Sequence, residues 1–262
     1  MPNKVSTKTE FQPDPHWAKV PHGIWMREAT SVAVDKNDNV FVFNRGNKPV
    51  LVFNQLGEVI DMWGNDNPPD KVRIIRDPYG NASQFWDTWF NRPHAITIDH
   101  DDNVWLVDDN GHQIHKMSKA GEYLMTIGSG TPAPKQSGDM FHRPTDVAIS
   151  AKTGEIFISD GYDNSRVHRL DPEGNLIKSW GVIGTDPGEF NVPHNIALID
   201  DEEVIVCDRE NYRVQVFSLD GTFIRMWPVH KAVAVEVTGS GDDVRIYVAC
   251  LLYTSPSPRD RG

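Results

Sequence analysis

Short runs of alternating apolar and polar residues fill most of this chain, and they recur in one order four times. The copies span residues 32–64, 94–128, 145–181 and 194–227. Each opens on an apolar tetrad: Val-Ala-Val-Asp to Asp35, Ile-Thr-Ile-Asp to Asp99, Val-Ala-Ile-Ser to Ser150, Ile-Ala-Leu-Ile to Ile199. A polar turn follows, then a second apolar run ending at Asn44, Asp108, Asp160 or Asp208. A third run, a turn with Gly57, Gly121, Gly174 or Gly221, and a fourth run complete the unit. Period-two alternation between Gly-rich turns predicts strands, and no stretch carries a helical period. Four short antiparallel strands in a unit of roughly 40–50 residues, repeated along the chain, predict the blade of a β-propeller. A lone blade cannot bury both faces of its sheet, so blades must stack side by side.

The segments 65–92 and 129–143 fall between copies and read as loops over one mouth of the ring. Trp63, Trp180 and Trp227 close the fourth runs and are expected to pack between blades. Cys207, set among Val and Ile, reads as core, whereas His112, His115 and His168 are expected to decorate surfaces. The repeat pattern divides the chain into an N-terminal segment (1–31), a propeller (32–249) and a tail (250–262). The tail breaks the pattern abruptly and is similar to one reading frame of a sequencing-library adapter. Native sequence is therefore expected to stop near Ala249.

Composition narrows the function classes. With 26 basic and 37 acidic residues the net charge is −11, which disfavours binding to phosphate backbones. No apolar run is long enough to predict a membrane-spanning helix, and two cysteines give no disulfide framework. The first ten residues lack an apolar signal core, so the expected location is cytoplasmic, or secreted or periplasmic if the true start lies upstream. A monomer is expected.

The repeat exposes the candidate chemistry. Pro93-His94 and Pro193-His194 open the second and fourth copies, and Pro144-Thr145 holds the same place in the third. Histidine at one position of alternate blades points side chains toward a common axis. Such a histidine also serves, more simply, to bond a backbone carbonyl. A second register lies just past the second run and holds Arg45, Asp109, Gly161 with Tyr162, and Arg209 with Glu210. Paired N–H groups let Arg45 and Arg209 bind a carboxylate, and Tyr162 is a candidate general base. Structural Asp-turns with exposed arginines are the simpler reading of the same loops.

The stretch 208–217, Asp-Arg-Glu-Asn-Tyr-Arg-Val-Gln-Val-Phe, is similar to NHL-type repeats, which build six-bladed propellers. The expected fold is thus an all-β, six-bladed NHL-type β-propeller, with about four to five blades present here. Neighbouring blades are then about 60° apart in the ring. His94 and His194 become two vertices of a triangle, whose third is expected at the next alternate blade, beyond residue 262. Three His with an open fourth position form a catalytic zinc site.

Several stretches go beyond generic repeat sequence: Val-Phe-Asn-Arg-Gly to Gly46, Arg-Pro-His-Ala-Ile-Thr-Ile-Asp to Asp99, Arg-Pro-Thr-Asp-Val-Ala-Ile to Ile149, Ser-Asp-Gly-Tyr-Asp-Asn-Ser-Arg to Arg166, and Val-Pro-His-Asn-Ile-Ala-Leu to Leu198. Together they resemble the peptidyl-α-hydroxyglycine α-amidating lyases and their bacterial relatives, from about residue 32 to 227. That resemblance implies cleavage of the N–C bond of a peptidyl-α-hydroxyglycine, giving an amide and glyoxylate. It implies zinc on His94, His194 and a third His, Tyr162 as base, and Arg45 and Arg209 in the active site, with Arg45 on the substrate carboxylate. It also implies a structural calcium held partly by the carbonyls of Val32 and Ile96. The expected ligand is a small-molecule or peptide substrate bearing a carboxylate. A non-enzymatic NHL scaffold that binds a peptide or protein is the alternative. A calcium-dependent lactonase-type propeller ranks behind both, because such enzymes use a Glu/Asn/Asp metal set.

Overall fold

The computed structural model describes residues 12–64 and 89–251, together with strands at 72–76 and 82–86. Its first blade is β1 (Ala29–Val34), β2 (Val40–Asn44), β3 (Val50–Phe53) and β4 (Val59–Trp63). A two-stranded hairpin, β5 (Val72–Arg76) and β6 (Ala82–Trp86), follows. The second blade is β7 (Pro93–Ile98), β8 (Val104–Asp108), β9 (Gln113–Met117) and β10 (Tyr123–Ile127). The third is β11 (Asp146–Ile149), β12 (Ile156–Asp160), β13 (Arg166–Leu170) and β14 (Leu176–Trp180). The fourth is β15 (Pro193–Ile199), β16 (Glu203–Asp208), β17 (Arg213–Ser218) and β18 (Phe223–Pro228). A further antiparallel pair, β19 (Ala232–Thr238) and β20 (Arg245–Cys250), stands beside it. Each blade is a sequential antiparallel meander, as the repeat pattern predicts.

Local chemistry explains the turns. Asp35 Oδ1 accepts the N–H groups of Asn37 and Asn39, both at 2.9 Å, and Asp99 does the same for Asp101 and Asn103 at 2.9 and 2.8 Å. A carboxylate that gathers two turn amides fixes the hairpin between first and second strands.

The cores lie between blades. Phe41 and Phe43 of the first blade share one cluster with Ile96, Val104 and Leu106 of the second. Trp105 and Val107 of the second share another with Ile156 and Ile158 of the third. Cys207 is fully buried, as expected. The blade-end tryptophans seal these seams. Trp63 lies under Gly121 of the next blade and Trp180 under Gly221, at left-handed turn positions where a Cβ would meet the indole at 2.7 and 2.6 Å. Trp227 packs against the cluster that joins the fourth blade to β19.

Two expectations need correction. His168 is not a surface residue: it is fully buried, edge-on to Phe141, with Nδ1 2.6 Å from Ser179 Oγ and Nε2 3.3 Å from Asp160. His115 is largely withdrawn from solvent too, and burial pushes its imidazole down to about 4. A third strand has a neighbouring blade on each face, so alternation does not expose its polar members. The segment 65–92, expected as loop, contains the β5–β6 hairpin. Strand pairing begins at Ala29 and runs through Cys250, slightly outside the expected propeller bounds. Residues 252–262 of the expected tail lie outside the described residues.

Candidate active site

Strand register shows what the repeat only suggested. Counting back from the turns, Thr30, His94, Thr145, His194 and Val233 occupy one position on the innermost strands of successive blades. These strands wall a central cavity of about 1810 Å³. Each histidine donates its Nδ1 hydrogen to the carbonyl at the same position of the next blade: His94 to Thr145 at 2.6 Å and His194 to Val233 at 2.8 Å. A carbonyl only accepts, so both Nδ1 atoms carry hydrogen and both Nε2 atoms present a lone pair. The simple expectation for such a histidine, a bond to backbone, is met through one ring nitrogen and leaves the other available.

The two lone pairs converge on Tyr162. Its hydroxyl lies 2.9 Å from His94 Nε2 and 3.3 Å from His194 Nε2. The imidazole centroids are 5.1 Å apart. Burial pushes both rings down to about 3, aided for His94 by the charges of Arg92, Arg45 and Arg143, and for His194 by His94 and Arg209. Both are therefore neutral near pH 7. Two nitrogen lone pairs then share a single hydroxyl proton, which can satisfy only one of them. This donor set suits a cation: neutral imidazoles, each oriented by a second hydrogen bond, are the usual metal-ligating form. Among the described residues no group of three or more His, Cys, Asp or Glu is placed to hold a metal. His94 and His194 thus offer two nitrogen donors.

Arginines surround the tyrosine. Arg209 stands 5.7 Å from the Tyr162 ring centroid and pairs with Glu210 at 2.9 Å. Glu210 in turn meets Lys231 at 3.1 Å. Arg45 donates to the Pro93 carbonyl at 3.1 Å, beside His94, and pairs with Glu28. The expected residues His94, His194, Tyr162 and Arg209 therefore come together, and Arg45 joins them through the backbone that carries His94.

The sequence reading gave no role to Arg143, whose guanidinium lies 4.4 Å from the Tyr162 ring centroid, or to the buried Asp109 that pairs with both Arg143 and Arg92. A signal existed: Arg-Pro precedes the register position at both 92–93 and 143–144. Val32 and Ile96 occupy equivalent places, opposite Val42 and Leu106, and both line the cavity. Their side chains differ, with Val32 61% exposed and Ile96 buried.

Below the histidines, Asp146 and Asn195 link three blades. Asp146 Oδ2 accepts the Ile196 amide at 3.2 Å and the Asn195 side-chain amide, while Asn195 Oδ1 accepts the Val235 amide at 2.6 Å. Burial pushes the Asp146 carboxyl up to about 7.

Comparison with known proteins agrees with this architecture. Residues 141–170 and 190–217 match the NHL repeat family. The chain is 34% identical over 211 residues to a mouse peptidyl-glycine alpha-amidating monooxygenase, covering 74% of this chain and 21% of that protein. It is 35% identical over 197 residues to a probable peptidyl-alpha-hydroxyglycine alpha-amidating lyase of Caenorhabditis elegans, covering 73% of this chain and 55% of the relative. The chain therefore spans about half of the nematode protein and about a fifth of the mouse one. A streptogramin B lyase structure superposes with a TM-score of 0.57 at 14% identity, over 86% of this chain and 62% of that one, a likeness of fold alone. By its repeats and its relatives, this chain belongs to the peptidyl-α-hydroxyglycine α-amidating lyase family of NHL-repeat propellers.

Proposed function

We propose that the site cleaves the N–C bond of an α-hydroxyglycine, releasing an amide and glyoxylate. One observation carries the reading: the Tyr162 hydroxyl stands between two histidine nitrogens that each present a lone pair. Tyr162 takes the proton from the substrate hydroxyl as its own hydroxyl proton passes to the departing nitrogen. The oxygen electrons form the aldehyde C=O of glyoxylate as the C–N bond breaks, and the bonding pair leaves on nitrogen. The proton that Tyr162 gives up completes the amide and the substrate proton replaces it, so atoms and charge balance without an oxidant or reductant. Arg45 and Arg209 hold the substrate carboxylate, exchanging their contacts with Glu28 and Glu210 for it.

His94 and His194 are the residues that would hold zinc, together with a third ligand. Bound zinc supplies Lewis acidity toward a substrate oxygen. The carbonyls of Val32 and Ile96 would contribute to a structural calcium, consistent with their shared register on the cavity wall.

The test is glyoxylate release from a synthetic peptidyl-α-hydroxyglycine. Arg45→Met should raise KM about 10- to 100-fold, the effect of losing a charge-assisted carboxylate contact. No glyoxylate from the wild-type protein, or an unchanged KM in the variant, would refute the assignment.

A further inference from the structure

Where the first and fourth blades carry Arg45 and Arg209, the second blade carries Asp109. It is fully buried and takes no part in the mechanism above. Arg92 Nη1 and Arg143 Nη2 both donate to its Oδ2, at 2.6 and 3.0 Å. Its Oδ1 is buried without a hydrogen-bond partner among the described residues. A buried carboxylate left half-satisfied costs stability, and such a group calls for a reason.

Arg143 supplies one. Its backbone is left-handed at φ +65°, directly before Pro144, a conformation that non-glycine residues adopt only at a cost in strain. Both backbone polar groups are used: its amide donates to His112 Nδ1 at 3.2 Å, and its carbonyl accepts the Tyr162 amide at 3.4 Å. Its side chain runs between the Asp109 carboxylate and the face of the Tyr162 ring. Arg143 thus touches Tyr162 at the main chain and at the ring. Asp109 anchors its Nη2 at 3.0 Å, the shorter of its two ion pairs, while Asp163 Oδ2 stands 4.0 Å from Nη1.

We propose that Asp109 is a positioning residue: it fixes the Arg143 guanidinium against the Tyr162 ring and so sets the hydroxyl between the two histidines. The proposal deepens, and rests on, the reading of Tyr162 as the base. Asp109 itself touches neither substrate nor the reacting atoms.

Protein labelled with 3-fluorotyrosine tests it. Of the six tyrosine ¹⁹F signals, the one lost in Tyr162→Phe belongs to Tyr162. Asp109→Asn and Arg143→Met should both displace that signal and leave the other five in place. Both should lower kcat by about 10- to 100-fold, the effect of misplacing a reacting group, with KM unchanged. The double variant should be no slower than the slower single one, because both changes release one contact. A Tyr162 signal unmoved by Asp109→Asn, or kcat losses that multiply in the double variant, would overturn the proposal. If Asp109→Asn does not fold, Arg143→Met carries the same test at a partly exposed side chain. Wild-type turnover by Tyr162→Phe would instead defeat the reading of the base, and the role of Asp109 with it, whatever the signal does.

Discussion

His94 and His194 lie 100 residues apart in the chain and on alternate blades, yet their imidazole centroids are 5.1 Å apart. Thr145, at the same register on the blade between them, makes the approach possible. Its side chain turns into the protein, donating to the Pro193 carbonyl at 2.7 Å, while its own carbonyl accepts from His94. A small residue on the intervening blade thus leaves the axis to the histidines on either side.

Between those rings, Tyr162 is the group whose loss should separate chemistry from binding. Tyr162→Phe keeps the ring beside Arg143 and Arg209 and removes only the hydroxyl. Turnover should fall about 10²- to 10⁴-fold, the range for a lost general base, with little change in KM. Steady-state kinetics on the hydroxyglycine substrate measure this, and wild-type kcat in the variant would exclude the role.

The seams between blades make a prediction about stability. Gly221→Ala places a Cβ 2.6 Å from the Trp180 ring at φ +81°, so it meets both overpacking and backbone strain. Gly188→Ala, at φ +88° with nothing within 4 Å, meets strain alone. The first should destabilise by about 2–4 kcal/mol and the second by about 1 kcal/mol in urea unfolding. Equal losses would show that the Trp180 contact does not constrain the seam.

Asp146 ties stability to pH. Between the ordinary carboxyl value of 3.8 and about 7, the folded protein keeps a proton that the unfolded chain has released. Stability from this group is therefore greatest at low pH, falls as pH rises through that window, and levels off above about 7. Asp146→Asn keeps an oxygen for the Ile196 amide and cannot ionise. It should flatten this part of the profile and stabilise the protein near pH 8, as read by urea unfolding across the range. Parallel profiles for the two proteins would contradict the assignment.

What could be read from the sequence follows from what repeats. The strands and the His94–His194 pair were legible because each recurs at a fixed register, and a repeat turns linear spacing into position around an axis. Tyr162 and Arg209 were legible for the same reason, one loop further along. The pairing of Asp109 with Arg143 was not, although each occupies a repeat position, because it is made between blades. His168 was misplaced because alternation reports the faces of one sheet and is silent about the blade that covers each face. The β5–β6 hairpin sits in a segment without a repeat partner, which removed the comparison that identified the strands of the four blades.

The central claim is that His94 and His194 are metal ligands, and zinc content measures it most directly. Elemental analysis of the dialysed full-length protein, with its third ligand, should find about one zinc per chain in the wild type and near-background zinc in both His94→Ala and His194→Ala. Zinc content unchanged in both variants would contradict the account.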